Sequence, residues 1–271
     1  MKTPNLKLHP IALGLFAACS TAAVAQTTNV FDEIVVTAPQ MSSPLTVEVD
    51  PKAPIQPIPA NDGASFLKNI PGFAMTRKGG TDGDPMLRGL AASRLPILLD
   101  GMDFHGGCPN RMDPPTAYVF PEAYDRITVI KGPQTVAYGN GNSAGVVLFE
   151  NDRDNYQDGV HGDFSAMAGS WDRYDAVAHA VAASSTGYLE GTLTHSEMDD
   201  YEDGDGNKVH SAYERQSASL IAGYRIDSNT RIDVDYTVSE GEADYAFSST
   251  DGVLFDRESY GLTFDKSNIN S

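Results

Sequence analysis

Basic residues are scarce in this chain. Lys and Arg number 19 against 37 Asp and Glu, giving a formal charge of −18 at pH 7. Nucleic-acid binders draw their affinity from basic patches facing phosphates, so the balance argues against that class of partner. Cysteine is scarcer still, with Cys19 and Cys108 alone. After the first two dozen residues no run of about 20 apolar residues occurs, which excludes a membrane-spanning helix there. A membrane location would then require strands closed into a β-barrel. Missing too are a serine elbow, a zinc-type histidine pair and a Gly-Lys-Ser/Thr phosphate loop. No catalytic constellation is present, and no enzyme activity is expected.

Residues 1–25 read as a signal peptide. Lys2 and Lys7 form the basic start, an apolar stretch of residues 11–18 follows, and Ala23-Val24-Ala25 supplies the small-x-small cleavage pattern before Gln26. Phe16 is a poor residue three places ahead of Cys19, against lipoprotein processing there. The export-ready chain carries a formal charge of −20, because both lysines of the signal are lost and no acid is. Such a surface is mutually repelling and concentrates cations. It also retains a single cysteine, without an internal disulfide partner.

Three textures follow. Residues 26–60 hold Asp32-Glu33-Ile34-Val35-Val36-Thr37-Ala38 and prolines at 39, 44, 51, 54, 57 and 59. This reads as a helix-free linker bearing one short strand-former suited to a partner's sheet edge. Residues 61–155 read as an α+β domain. Asn61 or Asp62 can cap a short helix with Phe66, Leu67 and Ile70, stopped by Pro71-Gly72. Strand-like runs follow at residues 96–100, 127–130 and 146–149. From 156 to 271 the hydrophobic period is two, as in residues 174–182, 189–195, 218–226, 232–238 and 260–264. Alternation of this kind fits transmembrane barrel strands and soluble β-sandwiches alike.

Cys108 lies four residues before Met112, with His105 three before it. A thiolate and a thioether are the soft set that favours Cu(I) over hard cations. Pro109 suits the first position of a helical turn capped by Cys108, which would bring i and i+4 to one side and favour the thiolate. The alternative is a small buried cysteine and a methionine filling the core. Arg111 can hold the thiolate or pack the loop. Farther on, Asp203, Asp205, Asn207 and Glu214 fall at calcium-loop positions, but Lys208 stands where that loop needs glycine. A solvated acidic hairpin is expected, and calcium is not.

Taken together the parts resemble a TonB-dependent outer-membrane receptor. The matching pieces are the TonB-box-like residues 32–38, Phe66-Leu67-Lys68-Asn69-Ile70-Pro71-Gly72, Leu87-Arg88-Gly89-Leu90, Leu98-Leu99-Asp100-Gly101-Met102 and Tyr124-Asp125-Arg126-Ile127-Thr128-Val129-Ile130-Lys131-Gly132-Pro133. The segment from Leu99 to Pro133, with residues 107–118 inside it, looks like the copper-receptor branch of that family. The resemblance implies an α+β plug domain followed by antiparallel transmembrane β-barrel strands, located in the outer membrane of a Gram-negative bacterium. It implies copper as the transported ion and TonB as the periplasmic partner at residues 32–38. It further implies that barrel histidine and methionine complete the Cys108–Met112 pair. His195 and Met198 are the candidates here, spaced His-x-x-Met where His-x-Met is expected.

A plugged transporter barrel has about 22 strands. The 115 residues from Gln157 onward accommodate only about six. An incomplete barrel is therefore expected, from a fragment or truncated form. Two alternatives accompany the copper reading: a receptor for a siderophore or other metal chelate, and a non-transporting periplasmic module.

Overall fold

Six short strands build the first sheet, and the Ile/Leu/Val-rich ones, Ile97–Leu99, Arg126–Lys131 and Gly145–Glu150, lie inside it. The computed structural model describes residues 40–43, 45–53, 55, 59–153, 156–246 and 251–266. The signal peptide and the TonB-box-like residues 32–38 lie outside them. Strands β1 (Gln40–Ser43) and β2 (Thr46–Val49) are the first among the described residues, and a five-residue helix α1 (Gly63–Leu67) follows. Next come β3 (Phe73–Thr76), β4 (Asp84–Leu87), β5 (Leu90–Ala91), β6 (Ile97–Leu99), β7 (Met102–Asp103), β8 (Arg126–Lys131) and β9 (Gly145–Glu150). The main plug sheet runs β1-β2-β8-β9-β6-β7, with β6 and β9 parallel.

The sequence reading assigned residues 26–60 to a linker, yet β2 pairs along its length with β8 and places Val47 and Val49 in the core. Pro44 and Pro51 bracket this strand rather than interrupt it. Asp62 caps α1, its Oδ1 accepting the Ser65 N–H at 2.6 Å. That helix end sends Phe66, Leu67 and Ile70 into a cluster with Leu99, Ile127, Val129, Val147 and Phe149. Burying one such side chain stabilises by about 1.5–3 kcal/mol. Between β6 and β7, Asp100 and Gly101 both have positive φ, 48° and 82°. That is the two-residue hairpin geometry an Asp-Gly pair favours.

The second sheet is an antiparallel meander of β10 (Gly159–Gly169), β11 (Arg173–Ser184), β12 (Gly187–Met198), β15 (Tyr213–Asp227), β16 (Thr230–Ala243) and β17 (Gly252–Lys266). The connection from β12 to β15 carries a small hairpin, β13 (Tyr201–Glu202) and β14 (Lys208–Val209). Two-residue turns join the strands at one end, and the longer connections 199–212 and 244–251 lie at the other.

Side-chain direction settles what periodicity left open. Outward-pointing positions such as Val160, Phe164, Leu189, Tyr224, Val234, Leu254 and Leu262 are exposed. The opposite face holds Asp175, His179, Glu190, Ser196 and Asp233, all buried. A sandwich in water has the reverse arrangement, apolar inside and polar outside. Apolar-out and polar-in is the wall of a transmembrane barrel. Six strands are present and no closed barrel forms among the described residues.

Plug and wall are tied by a chain of ion pairs. Lys52 lies 2.9 Å from Asp125 and 3.4 Å from Asp163 of β10, which lies 3.0 Å from His179. His179 approaches Glu190 at 3.5 Å, and Arg153 joins Glu190 at 3.2 Å to Asp100 of the plug hairpin at 2.7 Å.

Candidate metal centre

The loop bearing Cys108 is held from beneath by one carboxylate. Asp113 accepts the Gly107 N–H at 2.6 Å, the Cys108 N–H at 2.9 Å and the Tyr118 hydroxyl at 3.0 Å. Gly106 crosses so close to Asp113 that a Cβ there would meet its carbonyl oxygen at 1.8 Å. Burial and the neighbouring Asp113 charge raise Tyr118, so it remains a hydroxyl donor. The predicted helical turn after Cys108 does not form. Instead the Arg111 N–H closes a single turn onto the Cys108 carbonyl at 2.9 Å, and Arg111 takes the left-handed conformation, φ 54°. The sequence left two roles open for Arg111. Its guanidinium grips Asp84 through two 2.7 Å bonds, which raise it further and assign it to packing the loop.

Met112 points into a small cluster between plug and wall. Tyr213, Ala243 and Tyr245 form its buried part, and Met112, Met198 and Phe255 pack against it. Tyr245 is 2% exposed, and its hydroxyl lies 2.8 Å from the Met112 carbonyl and 3.0 Å from Asp82. The Gly79–Tyr245 bridge fixes that loop to the plug. Burial pushes Asp82 up to about 7, with Arg215 pulling the other way. Arg215 donates to the carbonyls of Ala117 and Asn61. A cavity of about 40 Å³ opens beside Asp82, Asp113, Tyr118, Arg215 and Phe255.

Of the residues singled out in the sequence, Met112 and Met198 are thus brought to one cluster, and half-buried Cys108 stands four residues from Met112. The histidines are elsewhere. His105 is 84% exposed and lies 3.7 Å from Asp103. His195 lies 3.2 Å from Glu197. The reason is the strand period: three residues apart on extended β12, His195 and Met198 point to opposite faces, and Met198 shares the plug-facing side with Glu190 and Ser196. The calcium-loop residues also separate. Asp203 spends its oxygens on the Asp205 and Asn207 N–H groups and the Asn207 amide, while Glu214 belongs to β15.

One group escaped the sequence reading. Asp200, His210 and Asp244 converge where the two long connections meet. They come from separate stretches of chain, and no spacing motif could have joined them.

A family model described as the TonB-dependent Receptor Plug Domain matches residues 39–146. Among curated proteins, the ferrienterobactin receptor of Escherichia coli is 28% identical over 169 residues, which are 53% of this chain and 22% of that receptor. Among solved structures, the copper transporter OprC superposes with a TM-score of 0.83 at 49% identity, over 88% of this chain and 37% of that one. The siderophore receptor PirA from Acinetobacter baumannii gives 0.64 at 16% identity, over 83% and 38%, a likeness of fold alone. The chain therefore spans well under half the length of the proteins it matches.

Proposed function

From the premise that this chain belongs to the TonB-dependent receptors, we propose that it serves copper import across the outer membrane. In this reading the plug offers the Cys108 thiolate and the Met112 thioether to Cu(I), and Met198 of the wall adds a third sulfur. His105 and His195 take no part. The TonB-box segment, residues 32–38, engages TonB at the periplasmic side, and the apolar outer face of the wall meets lipid. The signal peptide of residues 1–25 directs export, a linker leads into a plug that takes in β1 and β2, and the barrel strands follow from residue 156. The supporting observation is the packing of Met112 from the plug and Met198 from the wall on one aromatic cluster. The likeness to a copper transporter at 49% identity favours the same cargo.

The test is a Cu(I) competition titration of the chain and its variants. Losing one ligand is expected to cost more than the 10–100-fold typical of an outer-shell contact, so Cys108→Ser and Met112→Ala should each weaken binding by about 100-fold or more. Met198→Ala should weaken it less. Unchanged affinity in both plug variants would sink the reading. It would then favour a receptor for an iron chelate, which the curated ferrienterobactin relative supports.

A further inference from the structure

The connections 199–212 and 244–251 meet at the end of the wall opposite the two-residue turns. In outer-membrane barrels the long loops face outward and the short turns face the periplasm. There Asp200, His210 and Asp244 each present one ligand atom, all within 4.8 Å of one another. His210 Nδ1 is 3.2 Å from Asp244 Oδ2 and 3.9 Å from Asp200 Oδ1, while Nε2 is 3.1 Å from Asp251 Oδ1. We propose that Asp200, His210 and Asp244 form a capture site for a divalent transition-metal cation, Cu²⁺ first among them, at the outer mouth of the wall.

Three observations carry it. The donor set is one imidazole with two carboxylates, which suits Cu²⁺ and Zn²⁺, and such nitrogen–oxygen sites bind Cu²⁺ most strongly of the divalent first-row ions. The geometry is already assembled. Backbone N–H groups of Ser211 and Ala212 hold Asp200 Oδ1 at 2.7 and 2.9 Å, and Asp251 holds the far ring nitrogen. A carboxylate on the second nitrogen of a ligating histidine fixes the ring and strengthens it as a donor. The competing cation is weak: Lys208 reaches Asp200 at 3.1 Å but is 73% exposed, and exposed pairs of this kind are worth little. On binding, Nδ1 gives its proton to solvent and its lone pair to the metal.

Position adds a role. Asp244 directly precedes Tyr245 and Asp200 follows Met198 by two residues, so the site adjoins the cluster on which Met112 packs. A cation held there is concentrated at the entrance to the wall. No atom of this site belongs to the sulfur pair, so the inference stands apart from the copper reading of Cys108 and Met112.

The experiment titrates Cu²⁺ into the chain carrying Cys108→Ser and Met112→Ala, which silences the sulfurs, and follows it by electron paramagnetic resonance with pulsed detection of imidazole nitrogen. One bound ion with a single imidazole coupling is expected. His210→Ala should abolish the coupling and weaken binding by about 100-fold or more, and Asp251→Asn by about tenfold. His105→Ala and His195→Ala should keep the signal, and near-ultraviolet circular dichroism verifies that each variant is folded. Persistence of the coupling in His210→Ala would overturn the inference. So would a parent chain that binds no Cu²⁺, or Ca²⁺ displacing Cu²⁺ at equal concentration, which would mark a merely acidic patch.

Discussion

At Tyr245 a single hydroxyl proton faces two acceptors, the Asp82 carboxylate and the Met112 carbonyl. Both contacts are hydrogen bonds only if Asp82 brings a proton of its own, which its raised pKa of about 7 provides. Burial beside an acid also raises Tyr245, so it stays a donor. The folded state therefore holds a proton on Asp82 that the unfolded chain releases near pH 4. Linkage then fixes the sign: the contribution is present in full below pH 4 and is lost as pH rises through about 7. Melting temperature should fall between pH 5 and pH 8, and Asp82→Asn should flatten that fall. Equal slopes in parent and variant would refute the assignment.

Among the elements, the wall strands carry opposite chemistry on their two faces, and substitutions should respond accordingly. Val234 is 55% exposed on the outward face of β16. Placing a cation there, as in Val234→Arg, is expected to cost up to about 2–4 kcal/mol where the strand crosses the bilayer midplane. Ser217→Ala, on the plug-facing side of β15, should cost well under that. Denaturant unfolding of the chain in lipid vesicles compares the two, and equal costs would contradict the lipid-facing assignment.

Much of the element list was legible in the sequence, for identifiable reasons. Asn61 or Asp62 announced the helix, and the Ile/Leu/Val runs of β6, β8 and β9 their strands, because each signal is local; the Asp100-Gly101 hairpin that follows β6 was not read. The period-two segments gave the wall strands but not their environment, since alternation is the same whichever face meets lipid. Strand β2 was missed because its core membership depends on β8, some 80 residues later in the chain. The sulfur loop was legible as chemistry and misjudged as geometry. Its turn is set by Asp113 and Asp84, contacts that the Cys-x-x-x-Met spacing does not encode. The His210 group was illegible for the same reason, being assembled from two connections that the sheet brings together.

For the whole molecule, the ion-pair chain that joins plug and wall beside the Met112 cluster has two ends that should differ greatly in worth. Arg153 is 13% exposed and neutralises Glu190, which is 1% exposed, together with Asp100. Burial already raises Asp100 despite that guanidinium. Arg153→Ala leaves the buried Glu190 with only His179 beside it and the partly buried Asp100 without its guanidinium, and is expected to cost about 3 kcal/mol. Lys52→Ala removes a pair whose members are 30% and 27% exposed, and about 1 kcal/mol or less is expected. Thermal melts of the two variants would expose the asymmetry, and similar losses would show that the seam is held by packing instead.

The inverted wall has a consequence for how such a chain reaches its destination. Val160, Phe164, Leu254, Tyr260, Leu262 and Phe264 are each more than half exposed, which is tolerable only against hydrocarbon. In aqueous transit the same side chains form a continuous sticky sheet, the kind of surface that drives aggregation of folding intermediates. Such a face favours assembly where hydrocarbon is at hand to cover it. Timing of assembly, as much as its final energy, is written into the outward-facing positions.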